Sequence, residues 1–256
     1  PEEKVFIRQL RVKLRRLRST LSFFKPVLQR SSAVAWQNTL RQQGELLSRL
    51  RELDVALMTC EKIRSQAAAS GGKLTAPTQV EELLQKLRRE EAAACLQKAD
   101  LSCVTKTLAQ FNIWLHERPL TPNLADKKLR KFISRRLNEW SEKLETLDKK
   151  YPDFHNMLEL HQIRIKVKRF RYALQTLPEV PRDSNLLRRL KRLQDMLGFL
   201  HDDFINARLV QCFLEDTANV QLRYEAGLFA GWERAKAEAA VEMLPQLWED
   251  FCGALN

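Results

Sequence analysis

The sequence predicts an all-helical protein that is duplicated internally. The chain has 256 residues, of which only seven are glycine, and it is rich in Leu, Ala, Arg, Lys, Glu and Gln with few β-branched runs. Such a composition favours helices over strands. With 44% hydrophobic residues, the chain can bury a substantial core as one large domain or as two intimate halves. It contains neither the glycine pattern of a Rossmann fold nor that of a P-loop.

The stretch 161–172, HQIRIKVKRFRY, combines five Lys or Arg residues and one His with a helical apolar rhythm. On a helix that turns about 100° per residue, the apolar residues form a core-facing stripe. A cationic stripe lies directly beside it, whereas Lys166 and Arg169 project to another, solvated side. Taken alone, this pattern is also typical of an ordinary basic surface helix. The apolar stripe contains Ile163, Val167, Phe170, Leu174 and Leu177, and the cationic stripe contains His161, Arg164, Lys168, Arg171 and Gln175.

A second copy of this stretch lies at residues 8–19, RQLRVKLRRLRS, where Arg8 aligns with His161 and both stripes recur in the same register. Another pair supports the duplication, because residues 40–57 align with residues 190–207 at nearly the same offset. One loop of different length would absorb the discrepancy. The sequence therefore predicts two similar halves, each with a cationic first helix. In the first half the cationic stripe contains Arg8, Arg11, Arg15 and Arg18.

The remaining elements follow from apolar periodicity and helix-breaking residues. Pro26 ends the first helix, Ser31 or Ser32 caps a second helix, and residues 67–78 form a loop. Pro119 and Pro122 mark the boundary between the halves 1–120 and 121–256. The basic helix begins at Pro152, and the next helix carries its apolar face inward as far as Phe204. The predicted helices span about 2–28, 32–66, 80–95, 101–117, 125–147, 152–177 and 184–204, with the last helices in 219–251.

The charge balance indicates a polyanionic partner. Lys and Arg number 44 against 32 Asp and Glu, for a formal net charge of +12, and such an excess favours nucleic acid, anionic membranes or phosphate polymers. The five cysteines are odd in number and lack paired CxxC spacing, so neither a disulfide framework nor a zinc site is predicted. We find no apolar run of about 18 residues and no signal-peptide core. We therefore expect a cytoplasmic protein without a membrane partner, metal or cofactor.

Three segments together resemble the CHAD domain family, whose name stands for conserved histidine α-helical domain. They are HQIRIKVKRFRYAL at 161–174, RQLRVKLRRLRSTL at 8–21 and LKRLQDMLGFLHDD at 190–203. The resemblance covers nearly the whole chain and implies a single CHAD domain over 1–256. It also implies two antiparallel four-helix bundles, related by pseudo-twofold symmetry around a basic cleft. The family binds inorganic polyphosphate and has no known chemistry of its own.

The resemblance and the stripes together predict the polyphosphate site. The family places a histidine at the start of both basic helices, whereas this chain has Arg8 in the first and His161 in the second. Arginine keeps a phosphate donor and makes its charge independent of pH. The ExExK signature of the triphosphate-hydrolysing CYTH domain is absent from the sequence, so that activity is not transferred. The predicted site residues are Arg8, Arg11, Arg15, Arg18, His161, Arg164, Lys168, Arg171 and Arg189.

Three other functions remain open at this point. The same cations suit nonspecific nucleic-acid binding, although no helix-turn-helix, zinc finger or stacking platform is evident. A phosphate-polymer hydrolase is less favoured, since adjacent His201, Asp202 and Asp203 point apart on a helix and do not readily converge on one metal ion. A scaffold located at polyphosphate granules is not separated from simple binding. We expect a protein that is not an enzyme.

Overall fold

The computed structural model describes residues 2–71, 76–98, 101–117, 126–148, 153–177, 184–215 and 218–255. All regular secondary structure within these ranges is helical, which confirms the predicted all-helical class. The predicted boundary at Pro119 and Pro122 lies outside the described residues. The helices are α1 (Glu2–Phe24), followed by a 3₁₀ turn (Lys25–Val27), α2 (Arg30–Leu46), α3 (Ser48–Ala69), α4 (Thr78–Lys98), α5 (Leu101–His116), α6 (Asp126–Asp148), α7 (Met157–Thr176), α8 (Ser184–Glu215) and α9 (Val220–Cys252).

The predicted second helix is in fact two helices, α2 and α3, which are separated at Leu47. The Gly44 carbonyl accepts hydrogen bonds from two side chains, Arg11 Nη1 at 2.6 Å and Ser48 Oγ at 3.3 Å. The Leu47 N–H instead bonds to the Glu45 carbonyl. The break therefore lies where a side chain of α1, which is distant in sequence, bonds to the helix backbone. The corresponding segment of the second half continues without interruption within α8.

Three predicted details of the helices are wrong. Ser31 and Ser32 lie inside α2, and the residue that precedes this helix is Gln29, which makes no side-chain capping bond. Phe204 does not point inward, since 40% of its surface is exposed. α7 begins at Met157 because the Asn156 side chain accepts hydrogen bonds from the first helical N–H groups, whereas the prediction placed its start at Pro152.

The predicted apolar stripe of α7 is buried along its whole length, from Ile163 with 3% exposure to Leu177 with 5%. It belongs to a cluster formed by α6, α7, α8 and α9. A separate cluster joins α1, α2 and α5, with Leu14, Leu21 and Leu40 at its centre. Each of these two clusters draws on one predicted half of the chain.

Two further clusters combine both predicted halves. One joins α3 and α4 to the C-terminal part of α8 and the N-terminal part of α9. The other packs Phe23, near the end of α1, and Val27, in the following 3₁₀ turn, against α6 and α7. The 32-residue α8 and the 33-residue α9 therefore contribute to two separate clusters.

Four helices form a closed ring in which each helix contacts two others. α1 packs against α7, α7 against α8, α8 against α3, and α3 against α1. This ring brings the predicted cationic stripes of α1 and α7 to one region. No helix in the described part of the chain has the length and apolar character needed to cross a membrane.

Candidate functional site

A cavity of about 440 Å³ lies among the four helices of this ring. It is lined mainly by cations that come from α1, α3 and α7, while α8 contributes His201 and two carboxylates. The stripes account for the lining cations of α1 and α7, because each stripe residue lies one step from the buried apolar seam. Arg51 and Lys62 of α3 are not part of the stripes. The lining cations are Arg8, Arg11, Arg15, Arg51, Lys62, Arg164 and Lys168, and the lining carboxylates are Glu52, Asp195 and Asp202.

A second cavity, of about 260 Å³, adjoins the first along the contact between α1 and α7. Arg15, Arg164, Lys168 and Tyr172 line both cavities, so the basic surface is continuous from one to the other. Tyr172 is only 7% exposed and forms part of the wall between them. The second cavity adds Arg18, whose pKa is lowered by burial and then by the charge of Arg169.

The structure brings six of the nine predicted site residues to these cavities. Arg8, Arg11, Arg15, Arg164 and Lys168 line the larger cavity, and Arg18 lines the smaller one. The other three, His161, Arg171 and Arg189, line neither of these two cavities.

Arg189 is held by the C-terminal helix. Its Nη1 donates a hydrogen bond to the Asp250 carbonyl at 2.5 Å and lies 3.7 Å from a carboxylate oxygen of the same residue. Its Nε donates to the side chain of Asn185 at 3.3 Å. Arg189 therefore links α8 to α9 and lies apart from the cationic stripes of α1 and α7.

His161 packs against His201 and does not itself line the larger cavity. The two Nδ1 atoms are 3.4 Å apart and the ring centroids are 5.0 Å apart. Burial lowers the pKa of His201 to about 3, with a further decrease caused by Arg164. Burial also lowers the pKa of His161, and the charges of Arg164 and Lys168 act in the same direction. Both rings are therefore neutral at pH 7, so that the Nδ1–H of one can donate a hydrogen bond to the Nδ1 of the other.

The cations of the larger cavity lie close to one another and are partly buried. Burial lowers the pKa of Lys168 to about 7, and the charges of Arg164 and Arg15 contribute to this decrease. Burial and the neighbouring Arg15 lower the pKa of Arg11 to about 10. The Nε atoms of Arg11 and Arg164 are buried without a hydrogen-bond partner among the described residues. The free protein thus holds positive charge that an anionic ligand would stabilise.

Six Lys, Arg, His, Asp or Glu residues that line the larger cavity were not assigned to the binding site by sequence reasoning: Arg51, Glu52, Lys62, Asp195, His201 and Asp202. The alignment of 40–57 with 190–207 already contained a signal, because it places Arg51 opposite His201 and Glu52 opposite Asp202. Burial raises the pKa of Asp202, while Arg164 and Lys168 oppose that shift. Recognising these residues required knowing that α3 and α8 close the ring.

Asp202 and Asp203 make different contacts, although both also line a small cavity of about 100 Å³ beside α3. Asp202 lines the larger cavity, whereas Asp203 turns toward Glu233, with which it shares a hydrogen bond. Burial raises the pKa of both Asp203 and Glu233, which favours a shared proton between them. In the described part of the chain, no group of three or more His, Cys, Asp or Glu side chains is placed to hold a metal ion.

Comparison with known proteins agrees with the helical architecture. The family model described as the CHAD domain matches residues 2–211. PptA from Streptomyces chartreusis has a similar structure, with a TM-score of 0.73 and 19% sequence identity over 95% of this chain and 89% of that chain. The CHAD domain from the plant Ricinus communis is also similar, with a TM-score of 0.73 and 22% identity over 95% of this chain and 81% of that chain. No curated protein matches the chain in sequence.

Proposed function

Since the chain belongs to the CHAD domain family, we propose that it binds inorganic polyphosphate in the cavity enclosed by α1, α3, α7 and α8, and that it does not hydrolyse the polymer. One observation carries the proposal: seven Lys or Arg side chains and only three carboxylates line that cavity. Two of its guanidinium groups have buried Nε atoms without a partner in the described structure. A phosphate chain would supply the missing acceptors.

The chemistry of polyphosphate suits this lining. The polymer carries about one negative charge per unit and exposes oxygen atoms on every side. Neighbours on one helix face lie about 5–6 Å apart, so successive cations of α1 and α7 can contact successive phosphates. Arginine can bind two phosphate oxygens at once, and lysine adds a compact charge. The continuity of the two cavities through Arg15, Arg164 and Lys168 favours an extended chain over a single phosphate.

The proposed cleft is built twice from one ancestral unit. In this view α1 and α3 belong to one copy, and α7 and α8 belong to the other, with pseudo-twofold symmetry between two four-helix bundles. The contacts support it, because α1 packs against α7 and α3 packs against α8. Each copy would then contribute a basic helix and a second helix to the same site.

Nucleic acid is the alternative ligand for these cations. A cavity of about 440 Å³ is too small to enclose a nucleic-acid duplex, and the bases of a single strand would add bulk that the phosphate contacts do not use. A phosphate chain has no bases to accommodate. The proposed binding role would place the protein at cytoplasmic polyphosphate granules, either as a simple binder or as a scaffold.

Calorimetric titration with polyphosphate tests the proposal. Arg15→Ala combined with Arg164→Ala removes two cations that line both cavities. We expect at least an approximately 100-fold loss of affinity, from two charge-assisted contacts of about 1.5 kcal/mol each. The control is Lys191→Ala with Arg192→Ala, which removes the same charge from two exposed positions of α8. It should change affinity by less than about threefold, as expected for solvated charges.

Equal losses in the two double variants, at unchanged helicity, would refute this site. DNA at matched charge distinguishes the alternative ligand, because equal displacement of bound polyphosphate would favour a nonspecific polyanion binder. Phosphate release from polyphosphate with magnesium or manganese would overturn the non-enzymatic part of the proposal.

A further inference from the structure

A larger groove, of about 820 Å³, lies on the other side of α7, between the end of α1, the 3₁₀ turn and α6. Lys166 and Arg169 are exposed, as the sequence predicts, and they form one wall of this groove. The opposite wall is formed by the end of α1, the 3₁₀ turn, the start of α2 and α6. Helical periodicity does not predict that these segments lie close to α7. None of the described residues that line the groove carries a carboxylate. Its cations are Lys25, Arg30, Arg136, Lys143, Lys166 and Arg169.

The floor of the groove is apolar and includes an anchored tryptophan, Trp140. The Trp140 ring packs edge-on against Phe23, with centroids 5.2 Å apart and planes at 77°. The Arg136 guanidinium lies 5.7 Å from the centre of the Trp140 ring. Arg136 itself is held by the Phe23 carbonyl at 3.2 Å and by Glu139 at 2.5 Å. These contacts fix the floor before any ligand arrives.

The other five cations of the groove make no ion pair among the described residues, unlike Arg136. The cavity of about 440 Å³ enclosed by α1, α3, α7 and α8, called the central cavity below, has a different lining, because it contains carboxylates as well as cations. The groove instead combines unpaired cations with an apolar floor. A phosphate chain has no apolar surface, so the floor would contribute little to binding it. A ligand that joins an aromatic ring to phosphates would use both parts of the groove.

We propose that this groove binds an aromatic phosphate of the nucleoside triphosphate class, at a site separate from the proposed polyphosphate cavity. Its volume lies within the range of about 300–1,000 Å³ that is usual for small-molecule sites. The ring would rest on the apolar floor beside Trp140, and the phosphates would contact Lys143 and Lys166. Ser22 and Arg169 line both this groove and the smaller basic cavity, so the two ligands would meet at Arg169.

Titration of the full chain with ATP tests this site. Lys143→Ala with Lys166→Ala removes two exposed cations that line the groove but neither basic cavity. We expect ATP affinity to fall at least tenfold in this variant and polyphosphate affinity to change less than threefold. The matched variant, Arg15→Ala with Arg164→Ala, should show the reverse pattern. In the wild-type protein, ATP should also change the tryptophan fluorescence, and Trp140→Phe should abolish that change.

Inorganic tripolyphosphate separates the ring from the phosphates. It should bind the groove at least fivefold more weakly than ATP, and equal affinity would overturn the proposed aromatic preference. Loss of ATP binding in the Arg15 and Arg164 variant alone would place the nucleotide in the central cavity and overturn the separate site. Absence of ATP binding to the wild-type protein would also overturn the proposed nucleotide site. Since polyphosphate is titrated into the same variants, failure of the groove site is distinguishable from failure of the proposed polyphosphate function.

Discussion

The two walls of the central cavity differ in charge, although the sequence aligns the segments from which they come. The α1 and α3 wall carries five Lys or Arg residues and one carboxylate, whereas the α7 and α8 wall carries two Lys or Arg residues and two carboxylates. The two basic stretches differ far less in sequence, with six Lys or Arg residues in 8–19 and five in 161–172. Several of the α7 cations face elsewhere, since Lys166 and Arg169 line the outer groove. A count of charges along a helix therefore does not give the charge that a cavity receives.

The ends of the two walls show the same contrast at matched positions. The first wall places Arg8 and Arg51 at the cavity, whereas the second places His161 against His201 with 3.4 Å between their Nδ1 atoms. Arginine stays charged throughout the physiological pH range. Burial and neighbouring cations keep the histidines neutral. One end of the cavity thus has a fixed charge, whereas the histidine pair at the other end is neutral at pH 7.

The largest expected effect compares the walls directly at pH 8. Arg15→Ala with Arg51→Ala should weaken polyphosphate binding about 100-fold, because it removes two permanent cations at about 1.5 kcal/mol each. Arg164→Ala with Lys168→Ala should weaken binding only about tenfold. The pKa of Lys168 is about 7, so at pH 8 its side chain is largely the neutral amine. Calorimetry on both variants measures the difference. Identical losses would contradict the asymmetry.

A histidine at the exposed position Arg8 tests the contrast between the ends. Arg8→His should weaken binding about tenfold at pH 8, because it replaces one permanent cation by an imidazole that is neutral at that pH. Affinity should recover substantially at pH 5.5, where the new imidazole becomes charged. Arg8→Lys is the control and should show little pH dependence. A loss of the same size at both pH values would argue against a role for charge at this position.

A smaller effect concerns Lys168 alone. Its pKa of about 7 in the free protein means that a bound polyanion, by favouring the charged form, draws a proton from solution. Wild-type affinity should therefore fall about fivefold between pH 6 and pH 8. Lys168→Arg should remove most of this dependence, because its charge does not titrate in that range. Titrations in buffers of different ionisation enthalpy report the proton uptake, and persistent uptake in the variant would assign it to another group.

The smallest effect is on the stability of the free protein. Burial lowers the pKa of Lys168 from 10.5 to about 7, so the charged lysine destabilises the folded state. This destabilisation has its full size below pH 7, and it disappears as the pH rises to the pKa of the unfolded state. Lys168→Met should therefore stabilise the ligand-free protein by about 1 kcal/mol at pH 7, and by less at pH 10. Urea unfolding at the two pH values measures this. A gain that grows with pH would contradict the sign of the effect.

Features that depend on local periodicity could be predicted from the sequence. The α7 seam from Ile163 to Leu177 is buried, and most stripe cations of α1 and α7 line the basic cavities. Both follow from helical spacing and need no knowledge of the neighbours.

Features that depend on distant partners could not be predicted. The break at Leu47 is associated with a bond from Arg11 to the Gly44 carbonyl, and the position of Arg189 depends on Asp250 of α9. His161 pairs with His201 only because α7 packs against α8. In each case the deciding contact joins segments whose relative placement is not encoded in the spacing of either one.

The passage of α8 and α9 through two hydrophobic clusters has a consequence for biosynthesis. Val80 and Leu84 of α4 are fully buried, and their cluster includes Leu209 and Phe229 from the other end of the chain. A ribosome releases α4 long before these later residues exist, so the nascent N-terminal helices emerge with an uncovered apolar face. The cluster around α4 is therefore completed only after residues 209–229 have emerged, and its apolar face is exposed until then.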